Sequence, residues 1–385
     1  MYQPSVDGQQ DRLTRFVLLL PLLFVLTGTL IRFLAFRYHQ PDTPWTEYFG
    51  AMCRWDCIWY VNLAEDGYSR FPVPDRVAAA NWAFFPFYPI LVGALGKLLP
   101  IPTIVLASLM SIVTAYVAVV VAWPLLGRSR RAYALYAAFI LSGPISIYFT
   151  TFFTEVMFVL LTTLVFRFLG RSNYLGAATA AALLSGTRII GVFVSLSLGL
   201  QALLDRRRTT GSWRGWLPGL LGQPKLVLAV FLSPLGLFLY IAFLHYWIGD
   251  GLAFSHVQRA WARQVGNPFG YLWQGLTAWS TTPGQWLTHS QVLALSAVAG
   301  LALTAVLGWR RQWPAALFAL LAILIPLAAG LASMLRFMVA MAPLTITLMT
   351  LLARWRWLFA LSLVTLLVSA WFVTLAWFGG NLALV

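Results

Sequence analysis

Apolar runs long enough to cross a bilayer as helix recur along the chain from Phe16 to the C-terminus, separated by shorter polar or basic segments. Roughly 18 residues or more without charge is what spanning the hydrocarbon core requires. A first helix is predicted over Phe16 to Phe36, behind a polar tail, 1–15, that carries Arg12 and Arg15. The run is long and lacks an A-x-A cleavage pattern, so it reads as a retained helix rather than a signal peptide. A polar stretch follows from His39 to Phe85. Further on, a helix runs from Lys225 to Ile248, a second polar stretch covers Gly249 to Leu287, and helices are predicted near 290–308, 314–332, 337–353 and 358–378.

Between Phe84 and Leu204 the pattern allows two topologies. Pro86 to Leu99 is short for a span at about 1.5 Å rise per residue. The favoured reading makes it a re-entrant or juxtamembrane helix, with a break in the run Tyr174 to Leu204 at Gly186 and Gly191. Either way the expectation is one all-α integral membrane domain, 1–385, with about ten to twelve spans of helical length.

Composition agrees with that pattern: the chain of 385 residues is 60% hydrophobic and only 10% charged, with mean hydropathy +0.79. No polar region is large enough for a soluble core. The formal charge of +15 would suit nucleic acid if it formed a solvated face, but the basic residues sit in short clusters between apolar runs. Arg12 with Arg15, Arg206 to Arg208 with Arg214 and Lys225, Arg310 with Arg311, and Arg354 with Arg356 mark the cytoplasmic side. The stretches 39–85 and 249–287 are then external, in a multi-pass protein of the cell membrane.

The first of these stretches holds six of the eleven acidic residues, Asp42, Glu47, Asp56, Glu65, Asp66 and Asp75. Within RWDCIWYVNLAEDGY, Arg54 to Tyr68, helical spacing puts Asp56 and Tyr60 on one face and Trp55 and Trp59 on the adjacent one. An interfacial aromatic belt with solvated acids explains the pattern equally well. An acid between large rings at a membrane surface also suits a general base. Cys53 and Cys57 read first as two ordinary thiols, with a disulfide left open, since one helical turn gives marginal geometry for a bridge and a single pair makes no zinc site. In NWAFFPFYPIL, Asn81 to Leu91, the prolines break helix where the chain returns to the membrane.

Glu155 and Arg188 are isolated charges in apolar runs, read either as an ion pair or as functional groups. Arg336, at the external end of a late helix, is read either as a functional cation or as a snorkelling residue. In DGLAFSHVQRAWARQ, Gln258, Arg259 and Arg263 sit on a short helical segment with Phe254, Val257 and Trp261 as its apolar residues. Arginines on the external side favour an anionic ligand such as a lipid phosphate. No nucleotide-binding glycine loop occurs, and the four histidines have no metal-ligand spacing.

The order WD, AEDGY, NWAFFPFYP, FFTEVMFVLLT, GTRIIG and SMLRF, from Arg54 to Pro343, resembles the GPI mannosyltransferase II family and its prokaryotic relatives. The resemblance implies a GT-C type bundle that transfers a hexose, mannose in that family, from a polyprenyl-phosphate sugar to a hydroxyl of a glycolipid or other acceptor. It matches Asp56 to the acid of the WD motif, Glu65 to that of the AE-GY motif, Glu155 to the acid after the aromatic pair, and Arg188 to the arginine of an R-S-N-G motif. Ile189 and Ile190 stand where that motif has Ser and Asn, which leaves the acceptor open. Asp56 is thus the expected catalytic base, and Arg54, Trp55, Tyr60, Glu65, Asn81, Glu155, Arg188, Gln258, Arg259, Arg263 and Arg336 are expected substrate contacts. Whether a divalent cation takes part is left open, and the acidic stretch could hold one. The alternative is a transporter or lipid flippase with Glu155 and Arg188 as its intramembrane charges.

Overall fold

The computed structural model describes residues 6–73, 78–210, 224–261, 263–279 and 287–380, so Asp75 and Arg214 of the sequence pattern lie outside the described residues. These residues form helices and connecting turns, with no strand among them. In chain order the α-helices are α1 Val6–His39, α2 Tyr48–Met52, α3 Asp56–Asp66, α4 Phe87–Gly96, α5 Thr103–Ala122, α6 Arg130–Leu141, α7 Ile147–Thr150, α8 Glu155–Leu169, α9 Tyr174–Ser185 and α10 Val194–Thr210. The second half continues with α11 Pro224–Leu232, α12 Leu235–Ile248, α13 Ala253–His256, α14 Pro268–Leu276, α15 His289–Trp309, α16 Trp313–Leu327, α17 Met334–Ala340, α18 Ala342–Leu352 and α19 Arg356–Phe378.

Four helices among the described residues are long and apolar enough to cross a membrane: Arg12–His39, Thr103–Ala122, His289–Trp309 and Arg356–Phe378. The count rises to six if the bent pairs Lys225–Leu232 with Leu235–Ile248 (41°) and Met334–Ala340 with Ala342–Leu352 (73°) each make one span. Leucines at 18, 19, 22, 23, 26, 30 and 34 of α1 are exposed. That surface suits lipid rather than water.

Several apolar runs are interrupted. α4 has ten residues. The run from Tyr174 stops at Ser185, and Gly186, Thr187 and an extended Arg188 precede a 3-10 turn over Ile189–Phe193. Among the described residues of the two polar stretches, 39–85 carries α2, α3 and 3-10 turns at Trp45–Glu47 and Asn81–Ala83, and 249–287 carries α13, a 3-10 turn at Val257–Trp261, and α14.

The segment between α6 and α8 is buried almost throughout and is fixed from two sides. On one side Arg32 of α1 donates from Nη1 to Ser146 Oγ at 2.7 Å and to Leu141 O at 3.3 Å. On the other, Tyr88 of α4 bonds Ser111 of α5 at 2.8 Å, and Ser111 Oγ donates to Thr151 O at 2.7 Å. A second apolar cluster, Phe85, Tyr240 and Phe254 among it, fastens the second polar stretch to α12.

α4 lies so close to α3 that a Cβ at Gly93 would sit 2.3 Å from Ala64 O, a backbone atom that cannot swing aside. Gly93→Ala is expected to cost about 1–3 kcal/mol through overpacking, read as a lower melting temperature of the detergent-purified protein. Gly96→Ala, whose Cβ would lie 3.8 Å from a Leu106 methyl, is the control and should leave the melting temperature nearly unchanged.

Candidate functional site

Two acidic residues open helices at the same end of the fold. Asp56 is the first residue of α3 and Glu155 the first of α8. Unpaired backbone N–H groups at a helix start favour a carboxylate. Between these two acids lies Arg336 of α17. Its Nη1 donates to Asp56 Oδ2 at 2.7 Å and its Nε to Glu155 Oε1 at 2.8 Å, while Nη2 lies 2.6 Å from the same Oε1. Arg188 Nη1 meets that oxygen from another side at 2.9 Å. The two Glu155 contacts from Nη atoms are ion-pair approaches without hydrogen-bond alignment, and Glu155 Oε2 is buried without a partner among the described residues.

Exposure separates the roles. Arg336 is 2% exposed and Glu155 0%, against 16% for Arg188 and 27% for Asp56. Arg336 is therefore no snorkelling residue: its guanidinium is enclosed by the two carboxylates and by the rings of Tyr148 and Phe153, 4.9 and 5.2 Å from the guanidinium carbon. It has no face left for a ligand. Asp56 and Arg188 are the members that reach open space.

Arg263 adds a third cation. It is half-buried, its guanidinium lies 5.9 Å over Phe337 and donates to Ser333 Oγ at 3.4 Å, and it makes no ion pair among the described residues. Arg188 covers Phe337 as well, at 4.8 Å. Arg263 is within electrostatic reach of Asp56, Arg188 and Arg336. Three arginines thus face two carboxylates, and the surplus positive charge is on the exposed side.

An aromatic wall borders Asp56. Trp59 stacks on Phe84 at 5.6 Å, and Trp261 meets both rings edge-on at 5.9 Å. Tyr60 is buried, and its hydroxyl bonds Thr154 Oγ1 at 3.0 Å, tying α3 to the residue before Glu155. Trp55 packs edge-on against Trp377 at 4.4 Å.

Other expected contacts lie elsewhere. Glu65 is exposed near the far end of α3, on the face opposite Asp56. Asn81 pins its own loop, accepting from Ser69 N and Oγ and donating to Gly67 O at 2.9 Å. Arg54 points toward Gly380, where a Cβ would sit 3.5 Å from its Nη1. Gln258 folds back onto Phe254 O at 3.2 Å, and Arg259 is exposed. The turn that carries both is held by Asp250, which accepts from Leu252 N and meets His256 Nδ1 at 2.7 Å. That hydrogen bond from His256 holds the Asp250 carboxyl below its usual range.

The cysteines also depart from expectation. Cys53 and Cys57 form a disulfide, because they are not on one continuous helix. α2 ends at Met52, α3 starts at Asp56, and the sharp turn between them brings the two Cα atoms to 5.3 Å.

Comparison of the chain with protein-family models, with curated proteins and with solved structures finds no match in any of the three. Among the described residues no three His, Cys, Asp or Glu side chains gather as a metal site. A cavity of about 420 Å³ opens at the other end of α8 and α18, lined by Thr163, Leu169, Asp205, Arg310 and Thr347 among others. It is separate from the acid and arginine cluster.

Removing one member of a buried ion network leaves the others uncompensated, at a cost of about 3–5 kcal/mol. Arg336→Met is expected to destabilise by that order. Arg188→Met should cost distinctly less, since Arg336 would still pair with Glu155. Thermal unfolding of the two variants in one detergent ranks them, and equal melting temperatures would contradict the enclosed role of Arg336.

Proposed function

We propose that this protein is a multi-pass membrane glycosyltransferase of GT-C type with about ten to twelve spans, moving a hexose, mannose by resemblance, from a polyprenyl-phosphate donor to an acceptor hydroxyl on the external face. The observation that carries the reading is the half-open ion cluster: Asp56 anchored on one oxygen by Arg336, with Arg188 on the shared Glu155 and Arg263 within electrostatic reach of Asp56.

In this reading Asp56 takes the proton of the acceptor hydroxyl, whose oxygen attacks the anomeric carbon of the donor sugar. The bond from that carbon to the phosphate oxygen breaks, and the configuration inverts because the displacement is single. Phosphate leaves as an anion and needs no acid. Arg188 and Arg263 offer guanidinium donors to the charge that develops on it. Arg336 and Glu155 act through position, fixing Asp56 and Arg188. No step is assigned to a metal ion.

The disulfide supports the external assignment, since such bonds persist in oxidising compartments and are rare in the cytosol. The exposed apolar surface of α1 and neighbouring helices suits the bilayer in which a polyprenyl chain would lie. The transporter reading draws on the buried Glu155 with its two arginines, but it gives no task to the exposed Asp56 carboxylate. A transfer assay in detergent, with radiolabelled polyprenyl-phosphate mannose and a panel of acceptors, separates the two, because a transporter forms no product.

General-base loss lowers rate by about a hundredfold to ten-thousandfold. Asp56→Asn is expected to lose transfer on that scale, while Glu65→Gln stays within a few-fold of wild type. Arg263→Ala should raise the Michaelis constant for donor more than it lowers turnover, and Arg259→Ala should do so less. Retained transfer in Asp56→Asn would assign the base elsewhere.

A further inference from the structure

Nothing in the side-chain chemistry of α3 caps its first turn. Trp55 occupies the N-cap position and makes no side-chain cap hydrogen bond. Its φ of 52° is in the left-handed region that a bulky residue adopts only when its surroundings impose it. The hydrogen bonds within this turn are Cys53 N to Gly50 O, Cys57 N to Arg54 O and Ile58 N to Trp55 O, each 3.0 to 3.2 Å. Yet this turn sets where Asp56 points. Around it the chain is closed by the Cys53–Cys57 bond, with Cys57 wholly buried and Cys53 half-buried. Behind it Trp377 donates to Met52 O at 3.1 Å and receives the Trp55 ring edge-on.

We infer that the Cys53–Cys57 bond is a positioning clamp: it stands in for the missing helix cap and holds the Arg54-Trp55-Asp56 turn so that Asp56 meets Arg336. With the bond closed, Trp55 has one backbone conformation available, and Asp56 starts α3 facing α17. With it open, the turn relaxes toward the ordinary right-handed region, and the first turn of α3 frays. Asp56 then leaves Arg336, whose other carboxylate, Glu155, is fixed on α8. Cys53 and Cys57 are in this sense positioning residues and take no part in chemistry. Their effect on transfer rests on the function proposed above, whereas their effect on Asp56 does not.

Reduction is the probe. A water-soluble phosphine breaks the S–S bond, the phosphorus takes up the oxygen of one water molecule, and two S–H groups form. Accessibility of Asp56 is then read by carbodiimide-driven amide formation with a small amine, followed by peptide mass spectrometry. Glu65 on the same helix is the internal control, because it is exposed in either state. Asp56 labelling should rise several-fold on reduction and in Cys53→Ser/Cys57→Ser, with Glu65 unchanged, and should fall back on reoxidation of the wild type. Unchanged Asp56 labelling after alkylation has confirmed two free thiols would overturn the clamp. So would a parallel rise at both acids with loss of cooperative melting, which marks general unfolding. Transfer measured on the same samples separates the two ideas. Labelling that responds in a wild-type protein with no transfer to any acceptor leaves the clamp standing and removes the proposed activity. Where transfer is present, opening the bond should lower it many-fold in wild type and leave the residue in Asp56→Asn unaltered.

Discussion

A guanidinium enclosed between two carboxylates organises this molecule. Arg336 is excluded from solvent, and an isolated charge in such surroundings would cost far more than a folded domain can spare. It is tolerated because Asp56 and Glu155 come to it, each at the start of a helix whose own backbone favours negative charge. The position of three helices, α3, α8 and α17, is thereby coupled. The buried connection before α8 has its own ties to α1, α4 and α5, so that Glu155 is held by the frame and Asp56 is held by Glu155 through Arg336.

The neighbouring groups divide by how far they stand from solvent. Arg188 shares the Glu155 oxygen but keeps an exposed edge, and Arg263 leans on Phe337 without a carboxylate of its own among the described residues. A fully compensated network would be electrically closed. This one is left with a positive surplus on its open side, next to an aromatic wall and the one acid that water can reach.

Much of the site was legible in the sequence. Asp56 stood out because acids crowd its stretch and tryptophans flank it, and Glu155 and Arg188 stood out as charges in apolar runs. Arg263 was visible as an arginine on the wrong side for topology. What periodicity could not supply was contact over 280 positions of chain, the separation of Asp56 and Arg336, so a buried centrepiece read as a residue at a helix end. The disulfide was left open for a local reason: the spacing was judged on a continuous helix, and Trp55 with its positive φ breaks it. Asn81 was read as a ligand contact because it is a polar residue in an aromatic turn, and what periodicity could not supply is that its amide holds Gly67 and Ser69. For the fold, the apolar runs gave helix where helix exists, and the break at Gly186 was legible from its glycine, whereas the bends after Leu232 and Ala340 within the later runs were not foreseen.

The spacing of the cluster along the chain also bears on how the protein is made. Glu155 leaves the ribosome 181 positions ahead of Arg336, so through much of synthesis its permanent counter-ion does not exist. Arg188, two elements downstream and already in contact with the same oxygen in the finished fold, is the cation that arrives first. An early hairpin of α8 and α9 can therefore be neutral while the second half is still being synthesised, and Arg336 completes a pair that was provisionally closed. A chain that ends before α17 keeps the residues of that hairpin but leaves Asp56 without its anchor.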